Sequence, residues 1–196
     1  IISMCDISGS MSRYSRMLLH FMHVLTTLRS DVHTFLFGTR LTNVTRFLRF
    51  KDVDEALAAT SSAVEDWSGG TRIGDCLKEF NFYWSRRVLG PGAIVLFITD
   101  GLDRGGGIGL SKQIKLIQKS SKRLIWLNPL LRYDEFAPKP RGVKAILPYV
   151  DEFRPIHSLE CMDQLVNALS KTNLRSRFNM APWLQKLSEI ENAECQ

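Results

Sequence analysis

The sequence predicts a doubly wound α/β domain, with a mostly parallel central sheet, one antiparallel edge strand and helices on both faces. Three observations carry this reading. Short, almost unbroken apolar runs over residues 1–5 and 93–98 have the length and composition of strands buried on both faces. Segments with apolar residues at helical spacing alternate with such runs along the chain. One connection, residues 38–41, is too short for a helical crossover. Residues 32–37 and 42–47 therefore form an antiparallel hairpin at a sheet edge.

Taken in order, residues 1–5 form the first strand. Met17, Phe21, Val24, Leu25 and Leu28 then recur at helical spacing and predict one core-facing stripe on the following helix. After the hairpin, Asp54 caps a helix running to about residue 64. Thr71 stands at the start of the next helix, over 73–84. The break Gly90-Pro91-Gly92 precedes the central strand, which ends at Asp100. A helix over 111–120 leads to a strand over 123–127. Residues 128–142 carry Pro129, Pro138 and Pro140 and form an irregular loop, a surface suited to meeting a partner. Residues 143–149 form a short helical segment and 152–156 a last strand. Met162, Leu165, Val166 and Leu169 mark the closing helix. Beyond residue 171 the pattern lapses into a tail with one amphipathic piece, 183–190, able to dock on the domain or on another protein. The chain thus divides into a domain over 1–171 and a partly helical tail over 172–196, with no repeats.

Composition bounds the function classes. At 196 residues the chain buries a core without disulfide or metal staples, and 44% hydrophobic with 23% charged residues is ordinary globular usage. Cys5, Cys76, Cys161 and Cys195 show no C-x-x-C spacing, which excludes a zinc ribbon or a thioredoxin-like pair. Cys5 and Cys76 read as small apolar residues and Cys195 as exposed in a polar tail, so a reducing, cytoplasmic compartment is the economical expectation. No apolar run approaches the ~20 residues of a membrane span. The chain opens at Ile1, already inside a strand and without an initiator methionine, and is read as a segment of a longer protein whose targeting information could lie upstream. The net charge of +6 raises nucleic acid as a partner, but Arg29, Arg46, Arg72, Arg86, Arg87, Lys122 and Arg132 make no stripe, and a solvated surface that steers an acidic partner fits better.

The chemistry concentrates in three loops. Asp6-Ile7-Ser8-Gly9-Ser10 follows the first strand and sets one carboxylate and two hydroxyls at alternating positions of a sharp turn, with Gly9 expected to supply a backbone conformation that a side chain would resist. Trp67 to Asp75 is a glycine turn presenting Thr71, and the central strand ends in Thr99-Asp100-Gly101. Singly, these are an ordinary loop, a helix cap and a strand exit. In an open parallel sheet, however, ligands gather outside the carboxyl ends of the strands. Asp6, Ser8, Ser10, Thr71 and Asp100 would converge there as an all-oxygen set, suited to a hard cation such as Mg2+ or Mn2+ and unsuited to zinc or copper.

That constellation resembles the metal-ion-dependent adhesion site of the von Willebrand factor type A (VWA) family, built from D-x-S-x-S, a separate threonine and a separate aspartate. Nearly the whole chain takes part in the likeness. The strings D-I-S-G-S-M-S-R-Y-S-R-M from Asp6, F-L-F-G-T-R-L-T from Phe35, V-E-D-W-S-G-G-T-R-I-G from Val64, W-L-N-P-L from Trp126 and D-E-F-R-P-I from Asp151 are similar to the CoxE-like bacterial branch. The resemblance implies a Rossmann-like VWA fold and a metal shell of Asp6, Ser8, Ser10, Thr71 and Asp100. It also implies a protein-binding module whose partner supplies an aspartate or glutamate to the metal. The branch further implies a MoxR-type AAA+ ATPase as partner and a role in maturing a molybdenum-containing carbon monoxide dehydrogenase or related hydroxylase. A generic VWA scaffold or adhesion domain is the coarser alternative.

Other chemistries fit less well. His20 and His23 share a helix face but have no third ligand in register, and read as solvated histidines. Gly105-Gly106-Gly107-Ile108-Gly109 matches neither nucleotide-binding glycine pattern and reads as a flexible loop beside Asp100. No G-x-S-x-G elbow supports a serine hydrolase, and Ser8 or Ser10 with a distant His157 has no local support. Phosphoryl transfer through Asp6 is the strongest enzymatic alternative, yet Ser8 stands where such enzymes generally keep a second acid. The sequence therefore reads as a binding module with no catalytic residues.

Overall fold

Six strands form one sheet: β1 (Ile2–Asp6), β2 (His33–Phe37), β3 (Leu41–Asn43), β4 (Ile94–Ile98), β5 (Arg123–Asn128) and β6 (Glu152–Pro155). They are ordered β3-β2-β1-β4-β5-β6, and every neighbouring pair is parallel except β2 with β3. This is the expected class, down to the antiparallel edge. The computed structural model describes residues 1–196 except 66, 68, 171–178 and 195–196, so the reading of Cys195 lies outside the described residues.

Both faces of the sheet are covered because successive side chains of each strand point opposite ways. Cys5, Leu36, Leu96, Ile98, Ile125 and Leu127 face α1 (Ser12–Leu28) and α7 (Leu159–Ser170), with α2 (Val53–Ser62) outside α1. Met4, Phe35, Phe37, Val95, Phe97 and Trp126 face the other layer. That layer comprises α3 (Ile73–Glu79), α5 (Leu110–Ser120), α6 (Arg141–Ile146) and α8 (Ala181–Glu194). A π-helical turn, Phe80–Trp84, joins α3 to α4 (Ser85–Val88) and sets Phe80 and Trp84 edge-on against Phe35, with centroids 5.3 and 5.2 Å away. The tail piece docks on the domain: Leu187 of α8 is buried, and Trp183 packs against Phe136 and Phe153.

Four local expectations are corrected. Asp52, not Asp54, caps α2, because Asp52 has the extended backbone of a cap and its carboxylate accepts from the Glu55 N–H at 2.9 Å; Asp54 lies inside the first turn. On α1 the core face is Tyr14, Leu18, Phe21, Met22 and Leu25, so Phe21 and Leu25 of the expected stripe are core, while Val24 and Leu28 are exposed along a groove shared with Leu159, Met162 and Val166 of α7. Helical periodicity finds apolar lines but does not say which neighbour each line meets. His23 is not solvated. It is 7% exposed, with Nδ1 3.1 Å from the Leu48 carbonyl. Gly9 opens a 3-10 turn, Gly9–Met11, whose backbone any residue adopts, so its freedom is not what the loop requires.

The chain leaves β1 through α1 on one face and leaves β4 toward α5 on the other, and these two strands are neighbours. Their carboxyl ends consequently diverge and open a crevice at the top of the sheet. The loops after β1 and β4 both border it.

Candidate metal centre

Asp6 is the last residue of β1 and is 1% exposed. Its Oδ1 accepts the Ser8 N–H at 2.8 Å, which folds the loop back so that the Ser8 hydroxyl lies beside the Ser10 hydroxyl, 3.2 Å away. Ser8 is buried and Ser10 exposed, so the pair spans from core to solvent. Thr71, 3% exposed, directs Oγ1 to Asp6 Oδ1 at 3.4 Å. It does not cap α3; that helix takes its cap from Asp103, whose Oδ1 accepts the Ile73 N–H at 2.9 Å. Asp100, 1% exposed, lies two residues beyond β4 and accepts the Leu102 N–H at 3.0 Å. Four predicted residues thus share one hydrogen-bonded cluster, and Asp100 is close enough for its charge to act on Asp6.

Backbone bonds tie the three loops together. The Gly9 N–H donates to the Gly69 carbonyl at 3.3 Å and the Arg104 N–H to the Thr71 carbonyl at 3.0 Å. Residues that the sequence reading did not assign complete the support. Thr99, fully buried, donates to Asp6 Oδ2 at 2.7 Å and accepts the Gly101 N–H at 3.0 Å. Trp126 and Asn128 of β5 donate to the Thr99 and Asp100 carbonyls at 2.9 and 3.2 Å. Gly101 adopts a φ of +80°, and a Cβ there would fall 2.9 Å from Trp126 and from Val143. Their signal lay in the strings T-D-G and W-L-N, but nothing local says that β4 and β5 sit beside Asp6. The run from Gly105 to Gly109, read as a flexible loop, is a set of turns at positive φ held by Asp103, whose Oδ2 accepts the Gly107 N–H at 2.9 Å.

Burial pushes the Asp6 carboxyl up to about 6. Hydrogen bonds from Thr99 and Ser8 oppose that rise by favouring the charged form, and the nearby Asp100 charge adds to it. A carboxylate so withdrawn from water is stabilised by a compensating positive charge. Donor geometry offers a direct test of fit: an octahedral shell with bonds of ~2.0–2.1 Å places adjacent oxygens about 3 Å apart. The 3.2 Å Ser8–Ser10 spacing and the 3.4 Å Thr71–Asp6 spacing lie close to that edge length. Among the described residues no three His, Cys, Asp or Glu side chains converge, so a cation here would depend on hydroxyls as well as carboxylates.

A doubly wound sheet with this oxygen cluster at its carboxyl edge defines a von Willebrand factor type A domain. Within that class the chain belongs to the CoxE-like family: the model described as VWA domain containing CoxE-like protein matches residues 1–162. Solved structures agree on the fold. The chain is similar to a von Willebrand factor type A protein of Catenulispora acidiphila, with TM-score 0.55 and 14% identity over 86% of this chain and 41% of that one. It is also similar to the conserved hypothetical protein BatB of Bacteroides thetaiotaomicron, with TM-score 0.58 and 14% identity over 87% and 96% of the two chains. A third likeness is to proximal thread matrix protein 1 of the mussel byssus, solved with a zinc occupied MIDAS motif, with TM-score 0.53 and 16% identity over 86% and 46%. The chain thus spans less than half the length of the first and third. None of the curated proteins matches this sequence.

Proposed function

We propose that this domain is a metal-dependent protein-binding module, acting in the cytoplasm as an assembly or maturation factor for a molybdenum-containing carbon monoxide dehydrogenase or related hydroxylase together with a MoxR-type AAA+ ATPase. VWA domains are binding and adhesion modules, and CoxE-like membership supports the maturation role. The observation that carries the binding reading is the cluster of Asp6, Ser8, Ser10 and Thr71, joined by Asp100, at the mouth of the switch-point crevice.

In this reading Asp6 and Asp100 neutralise a divalent cation, Mg2+ or Mn2+, while the hydroxyls of Ser8, Ser10 and Thr71 orient toward it. Bound there, the cation supplies a Lewis-acidic contact for an aspartate or glutamate of a partner protein. The exposed position of Ser10 leaves the solvent side open for that carboxylate. Phosphoryl transfer through Asp6 fits worse, since Ser8 stands where such enzymes generally keep a second acid. No helix among the described residues is long and apolar enough to cross a membrane.

The test is a pull-down of the MoxR-type ATPase or the hydroxylase with this chain as bait. Chelator, Thr71→Ala and Asp100→Ala should each reduce capture at least tenfold, since truncating one member of a desolvated charge pair costs ~2–5 kcal/mol. Circular dichroism should stay unchanged. Capture undiminished in chelator would refute the reading.

A further inference from the structure

We infer that the partner segment recognised at this site carries a second carboxylate beside the one that meets the metal, and that Arg104 and Arg141 hold it. This deepens the metal-dependent reading and rests on it. The opening above Ser8, Ser10 and Thr71 has a volume of about 500 Å³, within the ~300–1,000 Å³ of pockets that take a whole ligand. Among the described residues its charged lining groups are Asp103, Arg104 and Arg141. Asp103 is engaged internally, with one oxygen on the Ile73 N–H and the other on the Gly107 N–H. The two arginines are exposed, and among the described residues neither guanidinium has an acidic partner.

Both arginines lie where glycines let backbone and side chain come close. The Arg104 guanidinium rests on Gly70, with Cζ 2.5 Å from where a Cβ would sit, so a side chain at 70 would push it away. Arg141 begins α6 beside Gly142, whose own Cβ would fall 2.2 Å from the Gly101 carbonyl, and its Nη1 lies 4.0 Å from the Cβ position of Gly106. Two guanidiniums beside a cation repel it and therefore cannot be there to hold it. They suit an anionic ligand instead. A divalent cation balanced by Asp6 and Asp100 is formally neutral, and Arg104 and Arg141 against Asp103 leave the lining one net positive charge; a carboxylate on the cation takes the coordination position but not the guanidinium donors, which are left for a second carboxylate. The planar fork of guanidinium donors matches a carboxylate edge, as a single ammonium does not. The occupant is accordingly an acidic protein segment with two closely spaced aspartates or glutamates.

The experiment uses the full chain loaded with Mn2+ and three capped peptides: one with two glutamates separated by one residue, one with the second glutamate replaced by glutamine, and one with it replaced by phosphoserine. The two-glutamate peptide should bind about fivefold tighter than the single, the upper end for an exposed ion pair. Arg104→Gln and Arg141→Gln should each erase that gain while leaving single-glutamate binding and Mn2+ affinity, read by calorimetry, undiminished. Equal binding of the two glutamate peptides, both lost in chelator, would overturn the arginine assignment and leave the metal reading standing. A gain that survives both arginine substitutions, or a phosphoserine peptide that binds more tightly still, would also overturn it. If Mn2+ and peptide binding are indifferent to Asp6→Asn, the metal reading itself fails.

Discussion

Thr99 Oγ1 donates a 2.7 Å hydrogen bond to Asp6 Oδ2 across 93 residues of sequence, joining the carboxyl ends of two neighbouring parallel strands. The same oxygen accepts the Gly101 N–H at 3.0 Å, so one hydroxyl both orients the central carboxylate and fixes the turn that follows Asp100. Thr99→Val keeps the shape and removes both bonds. A hydrogen bond to a charged group contributes ~1.5–3 kcal/mol, and cation affinity should fall about tenfold or more by calorimetry. Thr99→Ser should retain most of it, and an unaffected valine variant would deny Thr99 its positioning role.

Asp6→Asn keeps one acceptor oxygen, enough for the Ser8 N–H, sets an NH2 group opposite Thr99, and removes the central negative charge. Its effect on divalent cation binding should exceed the ~10–100-fold loss typical of a supporting residue. The far-ultraviolet circular dichroism spectrum should be that of the parent, because the flanking core is apolar. Titration calorimetry showing one site of unaltered strength in this variant would remove Asp6 from the site.

Burial raises the Asp6 carboxyl from an ordinary 3.8 to about 6 in the metal-free protein, so protons and cations compete for it in a mildly acidic window. Cation affinity should be level above pH 6 and fall about tenfold per pH unit below it. For the chelated fold the sign is opposite. The folded state binds this proton more tightly than the unfolded chain, so the contribution to stability is complete below pH 3.8 and is lost as pH rises through about 6. Thermal unfolding of the chelated parent, measured against Asp6→Asn between pH 4 and 7, should show the parent losing stability relative to the variant as pH increases.

Gly142→Ala places a methyl group 2.2 Å from the Gly101 carbonyl, with backbone on one side and Asp103 Cβ 3.2 Å away on the other. Overpacking of this kind costs ~1–3 kcal/mol, which at ~2–4 °C per kcal/mol for a domain of this size lowers Tm by about 2–12 °C. Gly90→Ala, where a Cβ meets nothing within 4 Å, is the matched control and should leave Tm unchanged. The Gly142 variant should also weaken cation binding, since the displaced turn carries Asp100.

The sequence by itself determined the alternation of strands and helices, the antiparallel edge and the spacing of Asp6, Ser8 and Ser10 in one loop. Each depends on short-range patterning: apolar runs, a connection too short for a helix, and side chains two residues apart in one loop. Tertiary structure decided what depends on strand order. It set β1 beside β4, and so gave Asp6 its bond from Thr99, and it brought Thr71 from its own loop to the same carboxylate. It also turned the apolar line of Val24 and Leu28 outward and buried His23 against Leu48. Arg104 and Arg141 are 37 residues apart and belong to no common motif, yet both line one opening because α6 closes on Gly101. Periodicity records that a residue is apolar or charged at a given pitch. Which surface it then meets is fixed by the crossovers that order the sheet, and these are long-range contacts with no local signature.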